Sequence, residues 1–242
     1  DGIPWDQVKA GDLDALQVVL LSSSTSRRLR ALQELRDKNG SVTIHGLRKA
    51  DSLIIYSIGS EVSPETRHDL LELLFRTYPV YVDRSSRQAV QQCLRSLLRG
   101  PNATEETKFL TQKLQIEASR PGLASSFAFV LLEWCCILLQ QASEDQNTPL
   151  PTVLDLIAVD AKALENCLSH NPKPAVKQSA LRVTRRALRA VFTSEAWGAD
   201  AVRQSVSRLT ADAAAANKNA PLLGVVCGVC ARLADKTPIL EE

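Results

Sequence analysis

Arginine side chains recur at helical spacing in two stretches of the chain. One stretch follows Lys173, where a first arginine is followed by others three, four and seven residues later, so that all four would share one face of a helix. They are Arg182, Arg185, Arg186 and Arg189. The other follows Asp83, where a helix would carry on its polar face Arg84, Arg87, Arg95 and Arg99. Guanidinium groups bind phosphate and carboxylate groups through paired hydrogen bonds, so both rows are candidate binding surfaces.

The positive charge of these rows is local. Residues 171–210 contain eight Lys and Arg and two acidic residues, whereas all 242 residues together have a net charge of +2. Such a face could dock on RNA backbone, on an acidic protein tail or on an acidic neighbouring domain, and it could also be an ordinary solvated surface. No aromatic residues are interleaved with the arginines, which argues against stacking on bases.

The sequence lacks the usual motifs of catalysis and cofactor binding. It has no glycine-rich phosphate-binding loop and no Gly-x-Ser-x-Gly turn. The three histidines (His45, His68 and His170) lie far apart and lack Cys or acidic neighbours at metal-ligand spacing. We therefore predict that the protein is not an enzyme and has no catalytic residue, cofactor or metal.

Cys227 and Cys230 form the one motif that suggests redox or metal chemistry. A zinc site needs two further Cys or His ligands, and none lies nearby in the sequence. The apolar flanks predict instead that both thiols pack within a buried helix. A helical thiol or metal enzyme that uses these two cysteines stays open as an alternative.

All six cysteines lie in apolar helical contexts, and no leader segment opens the chain, which together predict reduced thiols and a cytoplasmic location.

Composition predicts an all-α protein. Apolar residues make up 45% of the chain and charged residues 23%, which excludes wholesale disorder and a globally basic nucleic-acid binder. Residues 127–139 are apolar at 12 of 13 positions, a run that is too short to span a bilayer and predicts a buried helix, so no membrane partner is expected.

Helix start signals recur about every 20–25 residues, so two helices occupy roughly 40–47 residues, the period of HEAT and armadillo arrays. The predicted starts lie near Asp12, Thr25, Gly46, Ser63, Asp83, Thr104, Leu123, Pro151, Lys173, Asp200 and Pro221. Apolar residues within these segments repeat at helical spacing and need a neighbouring helix to bury them. Three such stripes are Leu71, Leu74, Phe75 and Tyr78; Val90, Cys93, Leu94 and Leu97; and Val176, Ala180, Val183, Ala187 and Val191. Thr104 is predicted to cap its helix, with Glu105 and Glu106 in the first turn. We predict a single domain over residues 1–242, a right-handed α-solenoid of about five antiparallel helix pairs.

Three stretches resemble a known family. They are SSSTSRRLRALQEL at residues 22–35, YVDRSSRQAV at residues 81–90 and FAFVLLEWC at residues 127–135. In this order and spacing they resemble the N-terminal HEAT-repeat region of the general-control translational activator, and the serine-rich stretch is most similar to fungal members. The likeness covers most of the first 140 residues and depends on helix rhythm beyond them.

The resemblance implies a non-enzymatic scaffold that associates with ribosomes. In that family the protein activates the kinase of initiation factor 2 alpha during amino-acid starvation and has an ABC-type ATPase as a partner. This chain would be a fragment of such a protein, monomeric by itself, with the kinase and the ATPase bound through other parts of the full-length chain. Its own contact would be with ribosomal RNA or with acidic ribosomal proteins. The alternative is a generic helical-repeat adaptor that holds a protein or peptide in its groove.

Overall fold

The computed structural model describes residues 5–9, 13–34, 64–80, 83–98, 103–144, 147–169 and 173–194, with Gln204, Ser207 and Ala211. Every regular element in these ranges is helical, so the all-α prediction is confirmed there. The helices are α1 Trp5–Lys9, α2 Leu13–Leu20, α3 Thr25–Glu34, α4 Pro64–Thr77, α5 Arg84–Leu97, α6 Ala103–Ala118, α7 Ser125–Glu144, α8 Leu150–Leu168 and α9 Pro174–Phe192. A short 3₁₀ turn, Tyr78–Val80, follows α4.

The helices belong to two compact units, one within Asp1–Glu106 and one within Thr107–Glu242. In the first unit, α2 packs against α1, α3 and α4, and α3 packs against α5. In the second, α7 packs against both α8 and α9, and α8 also packs against α9. Each unit has a core of leucine-rich helix faces, and the core of the second also buries Trp134 completely. The prediction of one domain over residues 1–242 stays a prediction.

Local chemistry explains where the helices begin. The Asp83 carboxylate accepts a hydrogen bond from the Ser86 backbone N–H at 2.7 Å, which satisfies one of the unpaired donors at the start of α5. Pro174 occupies the first turn of α9, where its missing N–H costs no hydrogen bond. Eight predicted starts lie within two residues of an observed one, and the other three (near Gly46, Asp200 and Pro221) lie outside the described residues.

Two predicted details are wrong. Thr104 does not cap α6, because the helix already begins at Ala103, although Glu105 and Glu106 still occupy its first turn. Val176 does not join the buried stripe of α9: residues 173–178 are all exposed, and Val176 is 39% exposed. Further along that stripe, Ala180, Ala187 and Val191 are buried as predicted, and Val183 is half-buried.

Helix α7 is the apolar centre of the second unit. Among the described helices it alone is long and apolar enough to cross a membrane by length and composition, with a mean hydropathy of 1.4. Two thirds of that stretch is buried inside the protein. The burial agrees with the predicted core helix over residues 127–139, whose side chains are buried except for three that are half-buried.

Candidate partner-binding surface

The arginine row of α9 lies along one exposed face of that helix. All four side chains, Arg182, Arg185, Arg186 and Arg189, are exposed. At about 100° per residue they fall within an arc of roughly 100°, and over seven residues they extend about 10 Å along the helix. The sequence therefore placed these four residues together correctly.

The opposite face of α9 fixes the direction in which the row points. Ala180, Thr184, Ala187, Leu188 and Val191 are buried. This face packs onto α7 and α8, because α9 contacts both of those helices. The helix ends at Phe192, and the Thr193 N–H donates to the Arg189 carbonyl at 3.0 Å. A buried face that is held by two helices keeps the arginines directed away from the core.

No acidic residue in the described part of the chain forms an ion pair with the four arginines. Other exposed basic residues in the second unit do have partners. Arg120 contacts Glu117 at 2.8 Å, and Lys162 contacts Glu165 at 3.4 Å. Within the described part of the chain, the row is therefore a surface where four positive charges lie side by side without an acidic partner, a field that attracts polyanions.

The second arginine row is less uniform than the sequence suggests. Arg84 is exposed at the first residue of α5, but Arg87 is half-buried with its guanidinium 5.3 Å from the centre of the Tyr78 ring. The Tyr78 hydroxyl accepts a hydrogen bond from Gln91 Nε2 at 2.7 Å. Arg95 is also half-buried, and Arg99 lies outside the described residues. Arg87 therefore takes part in packing around Tyr78, a role that helical spacing alone does not reveal.

Among the described residues, the remaining chemical candidates do not assemble into a site. Where the structure describes the chain, no group of three or more His, Cys, Asp or Glu side chains could hold a metal ion. His68 is half-buried on α4, and His45, His170, Cys227 and Cys230 lie outside the described ranges. The other four cysteines, Cys93, Cys135, Cys136 and Cys167, are buried free thiols, as predicted.

No protein-family model matches the chain, and no curated protein or solved structure matches it either.

Several buried polar positions were not predicted from the sequence, and two of them lie on α8 and α9. Asp160 lies on the buried face of α8, and Thr184 lies on the buried face of α9. A signal for Asp160 was present: Val153, Leu156 and Leu164 form an apolar stripe along α8, and a carboxylate at position 160 interrupts it. A charged side chain within such a stripe loses its hydration on folding, and this desolvation carries an energetic cost.

Proposed function

We propose that the chain is a non-enzymatic scaffold segment that associates with ribosomes through the arginine row of α9. In this proposal it belongs to a translational-control activator that supports activation of the initiation factor 2 alpha kinase under amino-acid starvation, in the cytoplasm. The kinase and an ABC-type ATPase would bind elsewhere on the full-length protein. The fold would be a right-handed α-solenoid of HEAT-like or armadillo-like helix pairs.

The observation that carries the proposal is the exposed row of four arginines, which lacks acidic partners among the described residues. Arginine forks match the geometry of phosphate oxygens and of carboxylates. Ribosomal RNA presents phosphates at its surface, and a helix face of this kind would dock on them through charge and shape without reading bases. The rhythm of helix starts and the packing of α7, α8 and α9 on one another support the solenoid.

The experiment is co-sedimentation of the chain with purified ribosomes at low and moderate salt. Three proteins are compared: the wild type, a variant with the four α9 arginines changed to Glu, and a matched control with an equal charge change. The control carries four substitutions at other exposed basic positions, Arg76→Glu, Lys108→Glu, Arg120→Glu and Lys162→Glu. Circular dichroism establishes that all three proteins keep the same helical content.

The proposal predicts that the wild type and the control pellet with ribosomes at low salt, and that the α9 variant stays in the supernatant. Equal pelleting of all three would mean that the row is not the contact. If none of them pellets at low salt, the chain does not bind ribosomes and the adaptor that binds a protein or peptide becomes the better account.

A further inference from the structure

Asp160 is a carboxyl group buried in an apolar core. It lies in the middle of α8 and is 1% exposed. The α8 residues that share its face, among them Leu156, Ile157 and Leu164, are fully buried and apolar. An ionised carboxylate in such surroundings loses its hydration, which is strongly unfavourable unless charged or hydrogen-bonding groups replace the water.

The groups that face Asp160 replace little of that hydration. Cys135 faces it from α7, with Cys136 beside that thiol, and Cys167 faces it from its own helix, α8. Thr184 faces it from α9 and, among the described groups, is the one that favours the ionised carboxylate. In the described structure, neither Asp160 Oδ1 nor Thr184 Oγ1 has a well-aligned hydrogen-bond partner, and no cation stabilises the carboxylate.

The facing thiols are neutral at physiological pH. Burial, assisted by the nearby Asp160, raises the pKa of Cys135 well above its ordinary value and the pKa of Cys167 to about 12. The arginines of α9 do not help either, because they occupy the exposed face of that helix while Thr184 occupies the buried one. The contact between α8 and α9 at this level therefore accommodates a neutral carboxyl better than a charged one.

We propose that Asp160 is a proton-operated switch in the α7–α8–α9 core, which packs α9 firmly when the carboxyl is protonated and loosens it when the carboxyl ionises. Burial raises the pKa of Asp160 to about 7, with Thr184 opposing the rise. Protonation of a single core group would thus control how tightly the helix that carries the arginine row is held. The proposal does not depend on what that row binds.

The direction of the effect follows from linkage. The pKa of Asp160 is raised in the folded state relative to about 3.9 in the unfolded chain. The contribution of the protonated Asp160 carboxyl to the free energy of unfolding is therefore complete below about pH 4. It is lost as the pH rises towards the pKa of this group in the folded state. Between pH 5.5 and pH 8.0 the opening equilibrium constant of this core should rise about 30-fold.

A second buried carboxyl, Glu106, belongs to the first unit and has its pKa raised by burial to about 7, so the test removes it. The whole chain is compared as Glu106→Gln and as Glu106→Gln with Asp160→Asn. Hydrogen exchange of the α8 and α9 amides is measured at pH 5.5 and 8.0 and corrected for intrinsic exchange rates. The single variant should show the rise of about 30-fold in amide opening, and the double variant a rise of less than about 3-fold.

An equal rise in both variants, or no rise in either, would overturn the proposal. Should the double variant fail to fold, the Asp160 carboxyl is titrated directly by carbon-13 NMR in the Glu106→Gln chain. A midpoint near pH 7 supports the switch, whereas a midpoint below about pH 5 contradicts it.

Discussion

The guanidinium of Arg28, on α3, forms an ion pair with the carboxylate of Asp83, the residue that precedes α5. Arg28 also donates from Nε to the Ser86 hydroxyl at 3.0 Å and from a terminal nitrogen to the Thr25 hydroxyl at 3.0 Å. Burial alone would raise the pKa of Asp83, but the hydrogen bonds from Ser86 and the contact with Arg28 hold it below its ordinary value. One ion pair therefore joins two helices that are far apart in sequence.

This ion pair should contribute measurably to the stability of the first unit. Arg28→Met should lower the free energy of unfolding by about 2 kcal/mol, because it leaves a partly buried carboxylate without its cation and α3 without its link to α5. Unfolding in denaturant, monitored by circular dichroism, gives the free energy of unfolding of each protein. Arg84→Met, which removes an exposed arginine one residue after Asp83, is the matched control and should cost less than about 0.5 kcal/mol. Equal losses in the two variants would show that the pair contributes nothing specific.

Replacing Arg67, which forms a buried ion pair with Glu106, should lower the free energy of unfolding by an amount that depends on pH. Arg67 Nε lies 3.2 Å from Glu106 Oε1, and both side chains are almost fully buried. Arg67→Met should destabilise the chain by about 3 kcal/mol at pH 8, where it leaves a buried carboxylate uncompensated. The loss of stability should be smaller at pH 5.5, because the Glu106 carboxyl is then protonated and carries no charge. Burial raises the pKa of Glu106 to about 7, and Arg67 opposes the rise.

The control for that pair is the double variant Arg67→Met with Glu106→Gln. It should recover most of the stability that is lost at pH 8, because no buried charge remains. Urea unfolding at pH 5.5 and pH 8 gives the free energy of unfolding of each protein. A cost for Arg67→Met that is the same at both pH values would contradict the assigned role of Glu106.

The four buried cysteines should be protected from modification in the folded protein. Burial keeps Cys93, Cys135, Cys136 and Cys167 away from reagents, and it raises the pKa of Cys135 and Cys167, so little thiolate is present. Labelling with iodoacetamide at pH 8, mapped by mass spectrometry, should modify these four only after denaturant is added. Modification of Cys135 or Cys167 in native buffer at the rate of a free thiol would contradict the described core.

Periodicity was sufficient to predict the described helices from α2 to α9, because each one needs an apolar face and a start signal that the chain supplies locally. The stripe of Leu71, Leu74, Phe75 and Tyr78 is buried as the spacing predicts, and so is the stripe of Val90, Cys93, Leu94 and Leu97. Helix α1 was not predicted, because five residues, Trp5–Lys9, are too few to show a helical repeat.

Contacts between distant residues could not be predicted from local pattern. Arg87 shares the helical spacing of its row, but the Tyr78 ring against which it lies decides its exposure. Arg28 belongs to the basic stretch after the serine run, and only the packing of α3 on α5 shows that it is buried. The α9 row was predictable as a group because neighbours on one helix face depend on sequence spacing alone.

Replacement of the α9 arginines by lysine separates charge from geometry. Lysine keeps the positive charge but cannot form the planar two-pronged contact with a phosphate. We expect the fourfold Lys variant to bind ribosomes more weakly than the wild type, by about 10-fold or more in Kd, and more tightly than the fourfold Glu variant. Quantitative pelleting against ribosome concentration gives the affinities of the wild type and the Lys variant, and an upper limit for the Glu variant. Equal affinity of the Lys variant and the wild type would show that only net charge matters.

The most direct test of the proposed function is the salt dependence of ribosome binding by the wild type and by the fourfold Glu variant. If the four guanidinium groups contact RNA phosphates, the logarithm of the wild-type association constant should fall with the logarithm of salt concentration with a slope of about −3 to −4. The Glu variant should bind too weakly to measure at the lowest salt concentration. Wild-type binding that does not change with salt, or a Glu variant that binds as well as the wild type, would contradict a ribosome contact through Arg182, Arg185, Arg186 and Arg189.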